Sequence, residues 1–210
     1  VIKDRTAIAG IGQTAFGKQL PESELELACQ AILAALEDAG IDRSEVDGLA
    51  SFTQESTSEV EVARNLGLGD ITWFGQVGYG GGAGPGVIGN LAMAVACGQC
   101  RVGVAWRSRK RASGAVRRPW SKQGSALLEE IAVNYTRPFG VIRPVDEIAL
   151  LARRYMHEYG ATRDHLANVA LAQRQYANNN PAAMMYDKPL TREQYMQARW
   201  IAKPLCLFDN

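Results

Sequence analysis

Hydrophobic positions along the chain switch between two spacings, and the switches predict an alternation of strands and helices. Residues 5–12, Arg-Thr-Ala-Ile-Ala-Gly-Ile-Gly, form a short apolar run of small residues, the pattern of a central strand. Ser23 and Glu26 make a capping box, and Leu25, Ala28, Ile32, Ala35, Leu36 and Ala39 fall on one face before Gly40 stops the helix. Asp42 caps one further turn, residues 48–52 form a short strand, and Ser58 caps a helix over 59–66. Ile71–Val77 is the next strand, and it runs into the turn Gly78-Tyr-Gly-Gly-Gly-Ala-Gly-Pro-Gly86. A helix from Pro85 to Gly98 and a strand over 101–108 follow, so the order up to Ser108 is β, α, β, α, β, α, β, an α/β pattern.

Beyond Ser108 the alternation stops. Residues 109–144 carry prolines, glycines and scattered aromatics with weak periodicity, which predicts an excursion with little regular structure. Pro144 opens a helix with Ile148, Leu151, Ala152, Tyr155 and Tyr159 on one face. Thr162 caps another, with Leu166, Val169, Ala170, Gln173 and Ala177 in register, and Thr191 with Gln194 caps a short last one. The closing residues 201–210 read as extended, like a strand returning to a sheet.

The stretch from Gly75 to Ser108 organises these elements as a βαβ unit. Its exposed turn lies at the carboxyl end of a strand, where α/β folds place chemistry. Val87, Ile88, Leu91, Ala92, Met93, Val95 and Ala96 make the helix apolar all round, so it is expected to be buried on every side. The glycines before Pro85 let backbone N–H groups approach a ligand, and such a helix start can stabilise an anion or oxyanion. No Lys-Ser or Lys-Thr follows the glycines, which excludes a nucleotide phosphate loop. No Ser, Cys or Thr lies between Gln76 and Gly89, which excludes a nucleophile elbow. A ligand-free tight turn and an oxyanion or thioester pocket lined by backbone N–H both stay open. Tyr79 is the one reactive side chain in the turn, as packing or as an acid. Gly10-Ile-Gly12 looks like the opening of a dinucleotide fingerprint, but no third glycine or helix follows at the required spacing.

Composition narrows the classes. With 210 residues, 47% hydrophobic and 21% charged, the chain matches an ordinary globular protein with one sizeable core or one domain with a large excursion. A net charge of +1 gives no overall field for nucleic acid. The distribution is lopsided: 22–70 holds twelve acids against Arg43 and Arg64, while 107–122 holds seven cations and no acid. The run Arg107, Arg109, Lys110, Arg111, Arg117, Arg118 and Lys122, with Trp106 and Trp120, suits a solvated loop or a phosphorylated small molecule ahead of RNA. No run approaches the roughly 18 apolar residues of a membrane span, and no leader precedes the first strand, so a cytoplasmic protein is the expectation. Cys97-Gly-Gln-Cys100 sits at a helix C-terminus, the wrong end to activate a thiol. Cys29 and Cys206 stand alone, so buried structural cysteines and no metal site are expected. His157 and His165 flank the link between two predicted helices and read as surface or helix-end residues.

Four stretches together resemble the thiolase superfamily. They are Ala7-Ile-Ala-Gly-Ile-Gly-Gln-Thr-Ala-Phe-Gly17, the glycine turn with its apolar helix, Thr162-Arg-Asp-His-Leu-Ala-Asn-Val-Ala170, and Asn180-Pro181 followed by Ile201-Ala-Lys-Pro-Leu205. The likeness is greatest to the sterol-carrier-protein thiolase-like, or lipid-transfer protein, branch. It covers essentially the whole chain and implies the N-terminal half of a duplicated α/β fold with αβαβα layers and a buried central helix. Residues 1–108 would be the thiolase-like half, 109–203 the inserted helical loop domain and 204–210 the start of the return to the sheet, the second half being absent. The resemblance implies an acyl-CoA substrate, with the loop domain helping to hold the coenzyme through Arg109, Arg111, Arg117 and Arg118, and Tyr79, Gly80, Gly81, Gly82 and Ala83 around the acyl group. It also implies a homodimer through Ile71–Val77.

One departure bears on mechanism. Thiolases carry a nucleophilic Cys at the start of the buried helix, and the equivalent position here is Gly81 or Gly82, with no cysteine near it. Without a thiolate there is no acyl-enzyme. The sequence is similar to a Cys-less type of this branch, retro-aldolases that cleave the side chain of a steroid acyl-CoA and work with a small OB-fold, zinc-ribbon partner. Retro-aldol cleavage needs a base and an oxyanion site but no covalent nucleophile, and the resemblance puts the base in the absent half. Two alternatives are a degenerate acyl-CoA acyltransferase and a non-catalytic acyl-CoA- or lipid-binding subunit.

Overall fold

Helix α1 (Glu24–Ala39) begins where its capping box dictates. In the computed structural model, which describes residues 3–17, 20–53, 55–78, 82–110 and 134–209, the Ser23 hydroxyl accepts the Glu26 N–H at 3.1 Å and the Glu26 carboxylate accepts the Ser23 N–H at 2.7 Å. Gly40, left-handed at φ 65°, closes the helix. Asp42 caps the single turn Arg43–Glu45, and Ser58 caps α2 (Glu59–Leu66) by the same reciprocal pairing, here with Glu61. The chain divides into two compact units, Val1–Arg117 and Arg118–Asn210.

In the first unit β1 (Gly48–Phe52), β2 (Trp73–Val77) and β3 (Gly103–Ala105) form a parallel sheet in the order β2-β1-β3, and α3 (Ala83–Ala96) links the last two strands. Central β1 is buried at every position. Its alternation sends Leu49 into a core with Ile32, Leu36, Val62 and Trp106, on the side of α1 and α2. Ala50 and Phe52 go into a second core with Ala83, Val87, Leu91 and Ala94 of α3. Asp47 fastens the far strand: its carboxylate accepts the Arg101 N–H at 2.9 and 3.0 Å and the Val102 N–H at 2.8 Å.

Two expectations change in this unit. Residues 6–17 form no ladder among the described residues, and Ile8 and Ile11 are exposed. The central place belongs to β1, paired on both sides. The segment lies instead along α1, where the missing side chain of Gly12 admits the backbone: a Cβ there would stand 2.2 Å from the Ala31 carbonyl oxygen. The Ile11 N–H donates to Asp38 at 2.9 Å. Helix α3 is buried on one face rather than every face, because the sheet covers a single side and leaves Ile88 and Met93 about half exposed, at 47% and 48%.

The second unit holds α4 (Pro144–Tyr159), α5 (Arg163–Asn178), α6 (Arg192–Gln197) and the antiparallel pair β4 (Trp200–Ala202) and β5 (Leu205–Cys206). Its core is Ala167, Tyr195 and Cys206. The Tyr195 hydroxyl donates to Asp209 at 2.6 Å and the Cys206 N–H donates to the other oxygen at 2.7 Å. The tail read as extended therefore folds back as a hairpin, ending in the turn Leu207–Asp209. Arg163 lies over the Trp200 ring at 4.2 Å and donates to the carbonyls of Tyr195 and Met196. Helix α4 has its anticipated limits, but it turns Ala149 inward and leaves Ile148, Leu151, Tyr155 and Tyr159 exposed. Its start is held by Arg143, which pairs with Asp146 at 2.7 Å and donates to the Ile201 carbonyl at 3.1 Å. No helix among the described residues is long and apolar enough to cross a membrane.

Candidate functional site

The carboxyl ends of β1 and β3 meet the start of α3 around an open pocket of about 380 Å³, lined by Phe52, Gly84, Val87, Ile88, Ala105, Trp106 and Arg107. With Ala50 opposite Ala105 in the parallel register, Phe52 and Arg107 fall side by side two residues further on. The Arg107 guanidinium stands over the Phe52 ring, 4.6 Å from its centroid. Trp106 points to the opposite face, where it is buried in the first core and its indole N–H donates to Thr57 at 2.9 Å.

Gly82 is the N-cap of α3 at φ −73° and ψ −16°, and no side chain caps the helix. The first intrahelical bond runs from the Gly86 N–H to the Gly82 carbonyl at 3.1 Å. Pro85, third in the helix rather than first, has no N–H, so the first turn offers the donors of Ala83 and Gly84. A Cβ at Gly82 would meet nothing within 4 Å, and its φ suits any residue, so neither packing nor backbone demands glycine there. Of the residues expected around the acyl group, Gly82 and Ala83 stand at this helix start, while Tyr79, Gly80 and Gly81 lie outside the described residues.

The cationic run is only partly in view. Lys110 is tied to the acidic start of α1, its N–H donating to Glu24 at 2.7 Å and its ammonium to the Glu22 carbonyl at 2.9 Å. The Ser108 N–H donates to Glu55 at 2.7 Å. Part of the charge asymmetry is thus answered within the chain. Arg109 is exposed, and Arg111, Arg117, Arg118, Trp120 and Lys122 lie outside the described residues.

A polar group beneath the sheet went unsignalled in the sequence. Glu59, at the start of α2, accepts from Ser51 at 2.5 Å and from Gln76 at 2.9 Å, across the pair Ser51 and Gln76 of β1 and β2. Burial pushes the Glu59 carboxyl up, but these two bonds and its own N–H outweigh burial and leave it below its ordinary value. Among the cysteines, Cys100 and Cys206 are buried and Cys29 is half-buried, whereas Cys97 is exposed because it caps the C-terminus of α3. Burial, then the Asp47 charge, pushes the Cys100 thiol up, which keeps it unreactive. His165 is a helix-end residue, accepting the Thr162 N–H at 2.9 Å, and His157 is exposed. Among the described residues no group of three His, Cys, Asp or Glu could hold a metal ion.

Residues 5–197 match the thiolase N-terminal domain. The chain belongs to the thiolase family. This thiolase-family chain is 45% identical to the steroid side-chain-cleaving aldolase of Thermomonospora curvata, over all of its own length and 54% of that protein's. It is 41% identical to the 17-hydroxy-3-oxo-4-pregnene-20-carboxyl-CoA lyase of Mycobacterium tuberculosis, over all of its length and 55% of that protein's. The chain therefore spans about half the length of the curated relatives it matches. Among solved structures it superposes on an Ltp2-ChsH2(DUF35) aldolase with a TM-score of 0.87 at 46% identity, covering 96% of this chain and 51% of that one. The monomeric SCP2-thiolase like protein type 1 of Mycobacterium smegmatis shares the fold, with a TM-score of 0.63 at 24% identity over 83% of this chain and 35% of that one. The fold read from the sequence, the N-terminal half of a thiolase-like α/β structure, is the one found.

Proposed function

We propose that this chain is the N-terminal half of a Cys-less thiolase-family enzyme that cleaves the side chain of a steroid β-hydroxyacyl-CoA by a retro-aldol reaction, releasing a short acyl-CoA and a ketone. The observation that carries the reading is Gly82: at the helix start where the family's thiol is expected, the cap is glycine with open space where a side chain would be. The apolar pocket beside it and the likeness to a steroid side-chain-cleaving aldolase support the same reading.

In this reaction the bond between the α and β carbons breaks. The β-hydroxyl proton passes to a base, and the bonding electrons move onto the thioester oxygen as an enolate, which then takes a proton at the α carbon. No nucleophile is required. The Ala83 and Gly84 N–H groups serve the developing oxyanion, while Phe52, Val87 and Ile88 provide the apolar wall. Tyr79, Gly80, Gly81 and Gly82 complete the lining around the acyl group, and the base belongs to the other half of the fold. Coenzyme A enters as part of the substrate, its phosphates meeting Arg109, Arg111, Arg117 and Arg118 where residues 109–203 form the loop domain.

The enzyme is further proposed to be a cytoplasmic homodimer joined through Ile71–Val77. That β2 is an edge of the three-stranded sheet supports this arrangement. A small OB-fold, zinc-ribbon protein is the proposed partner, supported by the relative solved as an Ltp2-ChsH2(DUF35) aldolase.

The test is turnover of a β-hydroxy steroid acyl-CoA by the full-length protein, with and without the partner, followed by mass spectrometry of products and enzyme. Short acyl-CoA and ketone in equal amounts, with no acyl adduct on the protein, are expected. A trapped acyl-enzyme would establish an acyltransferase instead. Binding without turnover in the complete assembly would make this a non-catalytic subunit.

A further inference from the structure

Residues 55–59, between β1 and α2, reach the carboxyl ends of all three strands of the parallel sheet. Glu59 accepts from Ser51 of β1 at 2.5 Å and from Gln76 of β2 at 2.9 Å, both on the same carboxylate oxygen. Just past β3, the Trp106 indole N–H donates to Thr57 at 2.9 Å and the Ser108 N–H to Glu55 at 2.7 Å. Ser51 and Gln76 are partners in the strand register, one pair before the ladder ends at Phe52 and Val77. Side chains alternate along a strand, so those last two point to the other face, toward α3. There Phe52 packs with Ala83 and Val87, and a Cβ on Gly86 would stand 3.3 Å from Val77. The first turn of α3 thus rests on the two residues that directly follow the pair held by Glu59.

A carboxylate is a costly way to join two strands. Glu59 is half-buried and enters no ion pair among the described residues. Burial raises its pKa, but the bonds from Ser51 and Gln76 outweigh that and keep it ionised at neutral pH. An apolar residue would fill the place without desolvating a charge. It would also leave the hydroxyl of fully buried Ser51 without this acceptor and the end of edge strand β2 without its tie.

We propose that Glu59 is a positioning residue of the site: by holding Ser51 and Gln76 on one oxygen it fixes the ends of β1 and β2, and through Phe52 and Val77 it aims the Ala83 and Gly84 N–H groups at the thioester oxygen. The assignment rests on the retro-aldol reading above. Glu59 itself touches no substrate, so its effect falls on the transition state that those N–H groups serve rather than on binding.

Glu59→Ala, Glu59→Gln and Gln76→Met in the full-length protein test the proposal by two readouts. In turnover of a β-hydroxy steroid acyl-CoA, Glu59→Ala is expected to lower kcat by about 10–10²-fold with KM within about twofold of the parent, the signature of a displaced site. Glu59→Gln keeps an acceptor for both donors, though a weaker one, and should bring kcat back to within about threefold. Gln76→Met, at an exposed position, breaks the tie to β2 alone and should cost about tenfold; it decides the matter if Glu59→Ala does not fold. The second readout is amide hydrogen exchange in the first turn of α3, which needs no substrate. Glu59→Ala and Gln76→Met should speed it, while exchange in the β4–β5 hairpin keeps the parent's rate. A protein that shows this local change but cleaves no steroid ester keeps the positioning assignment and loses the aldolase reading. Unchanged exchange at α3 overturns the assignment, and so does a lowered Tm with kcat still within about threefold of the parent, the mark of a merely structural role.

Discussion

A Cβ at Gly82 would meet open space, whereas one at Gly48 would stand 2.6 Å from the Cys100 sulfur. The two glycines therefore answer to different demands. Gly82→Ala is expected to change stability by no more than about 1 kcal/mol while lowering turnover, because its methyl enters the region kept open for substrate. Thermal melts and the cleavage assay read the two effects separately. Gly48→Ala is expected to cost about 1–3 kcal/mol by urea unfolding, and Cys100→Ala in the same chain should restore only part of it, since it removes the sulfur but keeps the Cys100 Cβ at 3.0 Å. That α3 follows a glycine-rich stretch with no nucleophilic side chain was legible in the sequence because it is local. Asp47 and its bonds to Arg101 and Val102, and the stack of Arg107 on Phe52, were not, since each joins residues more than fifty positions apart through a register that no single segment encodes.

Helices α1, α2 and α6 start where their caps stand in the sequence, because a capping box is complete within four residues. What the periodicity left undecided was which side of a helix faces inward. The stripe Ile148, Leu151, Tyr155 and Tyr159 is a true apolar face of α4, yet that helix docks through Ala149 and through Arg143 to the Ile201 carbonyl. A small residue against the core and a fixed end outweighed the stripe. The same Arg143, by hydrogen bonding and charge, holds the Asp146 carboxyl near a pKa of about 2 against an ordinary 3.8. A depressed carboxylate stabilises the fold above its unfolded pKa and ceases to do so as pH falls through the folded value. The start of α4 is therefore expected to loosen between about pH 4 and pH 2, read as falling helical circular dichroism. Asp146→Asn should be less stable at neutral pH and should lack this step.

Across the whole molecule the order of elements from α1 to β3 and the family were readable from the chain, while the fate of residues 5–12, the closing hairpin and burial were not, since burial depends on what covers each face. Ile88, Met93 and the α4 stripe are exposed apolar side chains among the described residues. A chain with such a surface is expected to self-associate: sedimentation of the 210-residue chain should show mass rising with concentration, and Leu151→Glu with Tyr155→Glu should reduce it without loss of helix. The sheet order has a consequence in time as well as in space. β1 is made early, yet its second neighbour is β3 at residues 103–105, and among the described residues of the first unit the last tie to α1 is Lys110. A ribosome translating this message therefore adds roughly fifty residues, from the end of β1 to β3, with one side of the central strand bare, for several seconds at about 5–20 residues per second. Arrest-peptide profiling should register folding force only once Lys110 has cleared the exit tunnel, and the shorter nascent chains should be the ones that chaperones hold.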